Sequence, residues 1–345
     1  MAQIREKQGA AHTRIMGVGG YVPSRVVTNE EVCTWIDSSD EWIRTRSGIE
    51  TRRWATPEET VLEMSVEAAG KALAASGITG DQLGAVIVST VSHMHQTPAL
   101  ACLVADRLGT NGAAYDISAG CAGFCYGVAQ ASDMVKAGSA EYVLVVGVER
   151  LSDLTDVHDR GTAFIFGDGA GAVVIGPSDV PGIGPVVWGS EGDKYETITQ
   201  TFPWNERPES TEDAEGAEGA EDGGQVRGPF LRMEGQAVFR WASYQMAEVS
   251  LKALAEAGVT ASDLDAFIPH QANMRITDRL VKVLGLPEHV PVARTIAEFG
   301  NNSAATIPLA MERMLEDGSA PHGGLALLIG FGAGLVYAAQ VVSLP

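Results

Sequence analysis

Cysteine, histidine and asparagine are the residue types here whose neighbours point most directly to chemistry. Ser118-Ala119-Gly120-Cys121-Ala122-Gly123-Phe124 follows an apolar run ending at Ile117 and precedes an amphipathic stretch, Tyr126 to Lys136. That pattern predicts strand, glycine-bracketed turn and helix, with Cys121 at or near the helix N-terminus. Unpaired backbone N–H groups and the positive end of the helix dipole favour a thiolate there. Small neighbours leave room for a substrate to approach the sulfur. Such a cysteine is either a nucleophile or a buried structural residue, and the local pattern allows both. Pro269-His270-Gln271-Ala272-Asn273 precedes a helical run from Met274 to Leu284, and Gly300-Asn301-Asn302-Ser303-Ala304 is a second glycine-led turn. Taken alone, His270 fits a structural histidine and Asn301 a helix cap.

The elements that position these residues repeat. Lys71-Ala72-Leu73-Ala74-Ala75-Ser76-Gly77-Ile78-Thr79 matches Lys252-Ala253-Leu254-Ala255-Glu256-Ala257-Gly258-Val259-Thr260. The match runs on through Leu83 and Leu264 to Ala85-Val86-Ile87 and Ala266-Phe267-Ile268. About half the positions are identical over this helix-turn-strand unit, which points to a duplicated fold. At nearly the same offset Gly120-Cys121 aligns with Gly300-Asn301, and the helices behind them end at Gly138-Ser139 and Gly318-Ser319. Cys121 and Asn301 then occupy equivalent helix starts, and His270 ends the strand equivalent to the one ending near Ser89. Ligands of α/β sheets bind at the carboxyl ends of strands, so duplication can bring Cys121, His270 and Asn301 into one site. Helices such as Val61 to Ser76 alternate with apolar strands such as Ala85 to Thr90 and Tyr142 to Val148. That is an α/β pattern and predicts a mostly parallel sheet.

Composition sets the outer bounds. A chain of 345 residues, 45% hydrophobic, buries a large core as one large domain or two similar ones. Its four cysteines (Cys33, Cys102, Cys121 and Cys125) form no dense disulfide framework, and Cys121 and Cys125 lack the spacing of a zinc or thioredoxin motif. Met1 to Thr13 has no apolar signal region, so a cytoplasmic protein with reduced thiols is expected. A net charge of -20 argues against nucleic acid as a general partner. Part of it lies in Glu206 to Gly224, which reads as a solvated acidic surface loop at about 206–224. Gly323 to Pro345 carries no charge and is long enough to span a bilayer. Its glycines divide it into Leu325 to Ile329 and Leu335 to Val342, which predicts two buried strands and no membrane insertion. The glycines at Gly19-Gly20 and Gly167 to Gly171 are not followed by the helix that a phosphate loop needs, so they read as sites of close packing.

In order along the chain, Cys121-Ala122-Gly123-Phe124, His270-Gln271-Ala272-Asn273 and Gly300-Asn301-x-Ser303-Ala304 resemble the Cys-His-Asn set of the 3-oxoacyl-ACP synthase III family. Asp40-Glu41-Trp42-Ile43 with Arg46-Ser47-Gly48-Ile49, Asp159-Arg160-Gly161-Thr162 and Phe166 to Gly171 extend the resemblance over nearly the whole chain. It implies a thiolase-like α/β fold, with two pseudo-symmetric halves in a layered αβαβα core. The halves are expected at 1–178, carrying the nucleophile, and 179–345, carrying the histidine and asparagine. Two positions depart from the family pattern. Asn302 stands where Thr is common, and Thr97 stands where some members carry Phe at the acyl pocket.

The chemistry this resemblance implies is the initiating condensation of type II fatty acid synthesis. Cys121 is acylated by an acyl-CoA, while backbone N–H groups of Cys121 and Ala333 hold the oxyanion. CoA leaves, malonyl-ACP enters, and His270 and Asn301 stabilise the enolate formed by loss of carbon dioxide. That carbanion attacks the acyl-cysteine. No metal, nicotinamide or flavin is called for. The resemblance further assigns Trp42, Arg46, Arg160 and Asn273 to CoA, and Thr97 and Phe331 to the acyl pocket. An acidic carrier protein needs a basic face on an acidic enzyme, which Arg240, Arg275, Arg279 and Lys282 supply. A homodimer is implied, its partner closing the acyl pocket near Thr97. Three other functions use parts of the same set: a priming synthase or acyltransferase of polyketide assembly, a cysteine hydrolase of thioesters, and a non-catalytic acyl-CoA binding protein.

Overall fold

Val86 to Val88 and Val143 to Val146 have no exposed side chain, as strands covered by helices on both faces require. The computed structural model describes residues 4–5, 7–206 and 228–345, so the acidic stretch lies outside the described residues except for Glu206. The strands that frame the site are β1 (His12–Tyr21), β2 (Leu83–Ser89), β3 (Ala113–Ile117), β4 (Tyr142–Arg150), β5 (Asp168–Ser178), β6 (Val187–Ser190), β7 (Ala266–Pro269), β8 (Leu325–Gly332) and β9 (Val336–Ser343). The helices are α1 (Asp40–Ser47), α2 (Val61–Ser76), α3 (Leu100–Leu108), α4 (Gly123–Ala137), α5 (Gly235–Ala257), α6 (Met274–Leu284) and α7 (Thr306–Glu316). One sheet has the order β1-β5-β4-β2-β3 and the other β7-β8-β9-β6.

Side-chain alternation along the strands builds the layers. Val86, Val88 and Leu144 point to Met64 and Ala68 of α2 and Val104 of α3. Their neighbours Ile87 and Val145 point the other way, to Phe124 and Val128 of α4 and Ile307 and Met311 of α7. The same central cluster takes in Ile268 and Leu328 of the second sheet. Phe267, Leu327 and Ile329 then face Trp241 and Met246 of α5 and Ile276 and Leu280 of α6. Helix, sheet, helix, sheet, helix is the resulting stack, and α4 and α7 form its middle layer.

The repeat is visible in detail. α2 and α5 end on left-handed glycines, Gly77 at φ 74° and Gly258 at φ 72°. Each is followed by a capping box, Thr79 with Gln82 and Thr260 with Asp263, and then by β2 or β7. The sheets, however, are mixed rather than mostly parallel. β2 runs parallel to β3 and β4, and β7 to β8, but β4–β5, β1–β5, β8–β9 and β9–β6 are antiparallel. The short turn between Gly332 and Val336 permits only an antiparallel return. The uncharged C-terminal stretch is β8 and β9, with β8 continuing through Gly332 rather than stopping at Ile329. Among the described residues no helix is long and apolar enough to cross a membrane. The glycine clusters lie in β1 and at the start of β5, with Gly167 just before it. A Cβ on Gly19 would lie 2.5 Å from Ala68 O of α2, and one on Gly171 would lie 2.6 Å from Pro308 of α7.

Candidate active site

Cys121 sits in a 3-10 turn, Gly120–Ala122, that runs straight into α4. The turn is possible because Gly120 adopts φ 48°, a conformation costly to residues with a Cβ. The end of β8 presses against this turn. A Cβ on Gly330 would lie 2.9 Å from Ala122 Cα, and one on Gly332 would lie 2.9 Å from Cys121 Sγ and 3.0 Å from Cys121 N. Likewise a Cβ on Gly120 would lie 3.2 Å from Ala333 N. The backbone nitrogens of Cys121 and Ala333 therefore belong to two segments in direct apposition.

His270 follows β7 and is tied to β8 by its N–H, which donates to Ile329 O at 2.8 Å. Its ring meets Phe331 edge-on at 5.2 Å, and Nδ1 lies 2.8 Å from Thr306 Oγ1. Consecutive residues of β8 thus touch the two groups, Phe331 the imidazole and Gly332 the sulfur. Asn301 is held by its backbone, donating to Ile165 O at 2.9 Å and accepting from Gly167 N at 3.0 Å. Its Oδ1 accepts from Ser303 N at 2.9 Å. Gly300, at φ 70°, is the counterpart of Gly120. Cys121 lies within its 3-10 turn, whereas Asn301 precedes the Ser303–Ala305 turn that leads into α7. That turn packs on the Cys121 turn, so cysteine, asparagine and histidine gather at one end of β8.

Electrostatics correct one expectation. Burial pushes the Cys121 thiol up to about 12, the nearby Glu149 carboxyl adds to this, and the Ser303 hydroxyl pulls the other way. At rest the sulfur is a thiol despite its position at a helix start. Burial is the largest cause of the shift and favours the neutral thiol. Cys125 is fully buried in the central cluster, its thiol also raised to about 12 by burial. Burial lowers His270 to about 3, so its imidazole is neutral. The resulting set is a neutral imidazole, a carboxamide, a thiol and two backbone donors, with His270 and Asn301 buried and Cys121 and Ala333 partly exposed. It can transfer an acyl group to sulfur and stabilise developing negative charge on oxygen.

The other sequence candidates, Phe331 excepted, are at least partly exposed. Trp42 of α1 is half-buried, in edge contact with Phe164 at 5.4 Å, and the exposed Arg160 guanidinium lies 5.1 Å from the centre of its ring. Arg46, also exposed, accepts at its carbonyl from Asn273 Nδ2 at 3.1 Å. Asn273 caps α6 with Oδ1, which accepts from Arg275 N at 3.0 Å. Arg275 lies over Phe239 at 4.9 Å and Arg279 over Tyr244 at 5.6 Å, so both bridge α6 to α5, which carries the exposed Arg240. Lys282 is exposed one turn further along α6. Phe331 is buried beneath His270, whereas Thr97 is exposed on the loop between β2 and α3. Asn302, the departure beside Asn301, leaves Nδ2 buried without a hydrogen-bond partner. Sequence reasoning missed Glu149, Thr306 and the part Ser303 plays beside the sulfur. Glu149, a lone acid closing an otherwise apolar strand, was the available signal.

Duplicated α/β halves, with a cysteine and an asparagine each following a left-handed glycine, define the thiolase-like class of condensing enzymes. The chain belongs to the 3-oxoacyl-[acyl-carrier-protein] synthase III family. The model of that family matches residues 115–192, and the model of its C-terminal part matches 254–344. A beta-ketoacyl-[acyl-carrier-protein] synthase III of Streptomyces glaucescens is 63% identical, with all of both chains covered. Among solved structures, the priming beta-ketosynthase of the R1128 polyketide pathway is 45% identical with a TM-score of 0.91, covering 100% of this chain and 99% of that one. The 3-oxoacyl-[acyl-carrier-protein] synthase III of Aquifex aeolicus is 36% identical with a TM-score of 0.84, covering 96% and 99%.

Proposed function

We propose that this chain starts type II fatty acid synthesis. It joins an acyl-CoA primer to malonyl-ACP, giving 3-oxoacyl-ACP, carbon dioxide and CoA by way of an acyl-Cys121. The observation that carries this reading is the contact of β8 with both partners: Gly332 against Cys121 Sγ and Phe331 against His270. One strand end thereby couples the acylation centre to the group that handles the malonyl thioester. The Cys121 and Ala333 N–H groups form the oxyanion hole. Thr306 Oγ1 lies 2.8 Å from both His270 Nδ1 and Ser303 O. The hydroxyl donates its one proton to Ser303 O, and its oxygen beside Nδ1 fixes the orientation of the imidazole ring. CoA threads past Trp42, Arg46, Arg160 and Asn273. The acidic carrier docks on Arg240, Arg275, Arg279 and Lys282.

The remaining assignments belong to the same reading. The two halves divide near residue 178, the enzyme works in the cytoplasm, and it acts as a homodimer whose partner covers the Thr97 loop. No cofactor enters, because carbon dioxide loss generates the nucleophile. The test is intact-protein mass after exposure to a panel of acyl-CoAs, followed by peptide mapping. One acyl group on Cys121, lost in Cys121→Ser, is expected; an acyl group on Cys125 overturns the assignment. The close likeness to a polyketide priming ketosynthase supports a second reading, priming of a polyketide. Comparing kcat/KM for the fatty acid carrier and a polyketide carrier separates the two.

A further inference from the structure

Arg52 has no exposed surface. It lies in the short strand Thr51–Trp54, which pairs with Arg25–Thr28. Its guanidinium donates through Nη1 to Val27 O at 3.3 Å, and through Nη2 to Asn29 Oδ1 at 2.7 Å and Phe164 O at 2.9 Å. Among the described residues all three acceptors are neutral oxygens, and Nε, also buried, has no hydrogen-bond partner. Burial lowers the guanidinium only to about 10, so it stays charged at neutral pH. A buried cation held by neutral oxygens is costly and calls for a reason.

The acceptor Phe164 opens a segment, Phe164 to Gly167, that carries Asn301. Two residues along the strand from Arg52, Trp54 Nε1 donates to Phe166 O at 3.1 Å. Residues two apart share a side of a strand, so Arg52 and Trp54 grip alternate carbonyls of the segment. Ile165 O, between those carbonyls, accepts from Asn301 N at 2.9 Å, and Gly167 N donates to Asn301 O at 3.0 Å. The approach to the asparagine is held from the same strand. Glu50 N donates to Ala297 O at 2.8 Å, Thr51 Oγ1 donates to Glu298 O at 2.8 Å, and a Cβ on Gly300 would lie 2.8 Å from Arg52 Cβ. With Asn301 Oδ1 engaged by Ser303 N, Nδ2 is the group that can donate to a thioester carbonyl. Its direction follows from the backbone, and this segment places the backbone.

We propose that Arg52 and Trp54 are positioning residues for Asn301, fixing the Phe164 to Gly167 segment so that the Asn301 carboxamide reaches the enolate oxygen. This rests on the condensation reading. Both residues act through the segment rather than on the substrate. The Cys121 turn is braced by β8 and α4 instead, so the pair serves decarboxylation and not acylation. Phe164 also meets the Trp42 ring edge-on at 5.4 Å. Acylation is therefore compared at saturating acetyl-CoA, where a displaced Trp42 has least effect. Misplacing a reacting group by about 1 Å can cost about 10²-fold in rate, which is the size of effect that a lost brace should produce.

The test is carbon dioxide release from malonyl-ACP beside single-turnover acylation, in variants whose thermal melts show them folded. Arg52→Met, which keeps much of the side chain's length without its donors, should lower kcat for carbon dioxide release by about 10–10²-fold. KM for malonyl-ACP and the acylation rate should stay within about twofold of wild type. Arg52→Lys should recover part of the lost kcat. Trp54→Phe keeps a ring against Trp35 and removes one N–H, and should lower kcat by about threefold to tenfold. It decides the matter if Arg52→Met does not fold. Because both residues act through Asn301, neither change should lower kcat by more than about twofold in an Asn301→Ala background. A loss that persists in full in that background, or an equal loss of acylation, makes the pair general scaffold and overturns the positioning role. A wild type that is acylated but releases no carbon dioxide from malonyl-ACP overturns the condensation reading and the positioning role together. Wild-type release that is unchanged in the folded variants overturns the positioning role alone.

Discussion

At the scale of single residues, the proposed reaction gives His270 and Asn301 a different step from Cys121. An imidazole lowered to about 3 is neutral throughout the working range, so what it offers an enolate is a hydrogen bond rather than a charge. His270→Ala and Asn301→Ala should still form acyl-enzyme but lose malonyl-ACP decarboxylation by about 10²–10³-fold. Release of carbon dioxide measured beside acyl-enzyme mass checks this, and equal loss of acylation would make the pair hydrolase-like instead. Burial also shapes stability. Glu149 binds its proton more tightly folded (about 7) than at its ordinary value of 4.5. Its contribution is therefore greatest below about 4.5 and is lost as pH rises through about 7. His270 has the opposite sign: its contribution is present above 6.5 and is lost as pH falls toward about 3. Relative to wild type, Glu149→Gln should gain on the order of 3 kcal/mol of stability between pH 4.5 and 8. Urea melts across that range check it, and a difference independent of pH would contradict it. Cys121, His270 and Asn301 were legible in the sequence because short glycine- and polar-led motifs mark them. The protonation of Cys121 and His270 was not, because it depends on burial by segments distant in the chain.

At the scale of elements, the duplicated helix-turn-strand unit was the clearest signal. Identical residues at the helix end, the glycine and the capping threonine each fix local geometry. Sheet direction was less legible. An apolar run says that a strand is buried but not which way it runs, and β5 and β9 return antiparallel beside strands of the same composition. The repeat glycines can be tested apart from the chemistry. Gly258 adopts φ 72° at the end of α5, and a Cβ there would meet nothing within 4 Å. Gly258→Ala therefore tests backbone conformation without adding a clash, and should cost about 1–2 kcal/mol. Acylation of Cys121 should be unchanged, because the glycine lies behind the sheet. Denaturant midpoints and acylation rates of the same preparation separate the two effects. A fall in acylation rate would mean that the α5 end communicates with the site.

At the scale of the whole molecule, one chain presents Thr97 to solvent, while the sulfur lies under β8. The sequence could name Thr97 through the family resemblance alone, because a residue that a second chain must cover leaves no trace in the hydropathy of the first. If a partner covers the loop between β2 and α3, Thr97 becomes part of the wall of the acyl pocket. A threonine there in place of phenylalanine leaves the volume of an aromatic ring unfilled. Each buried methylene of a primer contributes about 0.8 kcal/mol. A primer longer by about three carbons therefore gains roughly 2 kcal/mol where the space is apolar and open. That is enough to shift preference from acetyl-CoA toward isobutyryl- or isovaleryl-CoA by more than about tenfold. Thr97→Phe should return the preference to acetyl-CoA while leaving Cys121, His270 and Asn301 in place. The measurement is the ratio of kcat/KM for isobutyryl-CoA and acetyl-CoA in both proteins, with sedimentation to establish the dimer. A wild type that prefers acetyl-CoA, or a ratio unmoved by Thr97→Phe, removes Thr97 as the determinant. A fully active monomer removes the pocket wall altogether, since nothing would then cover the loop.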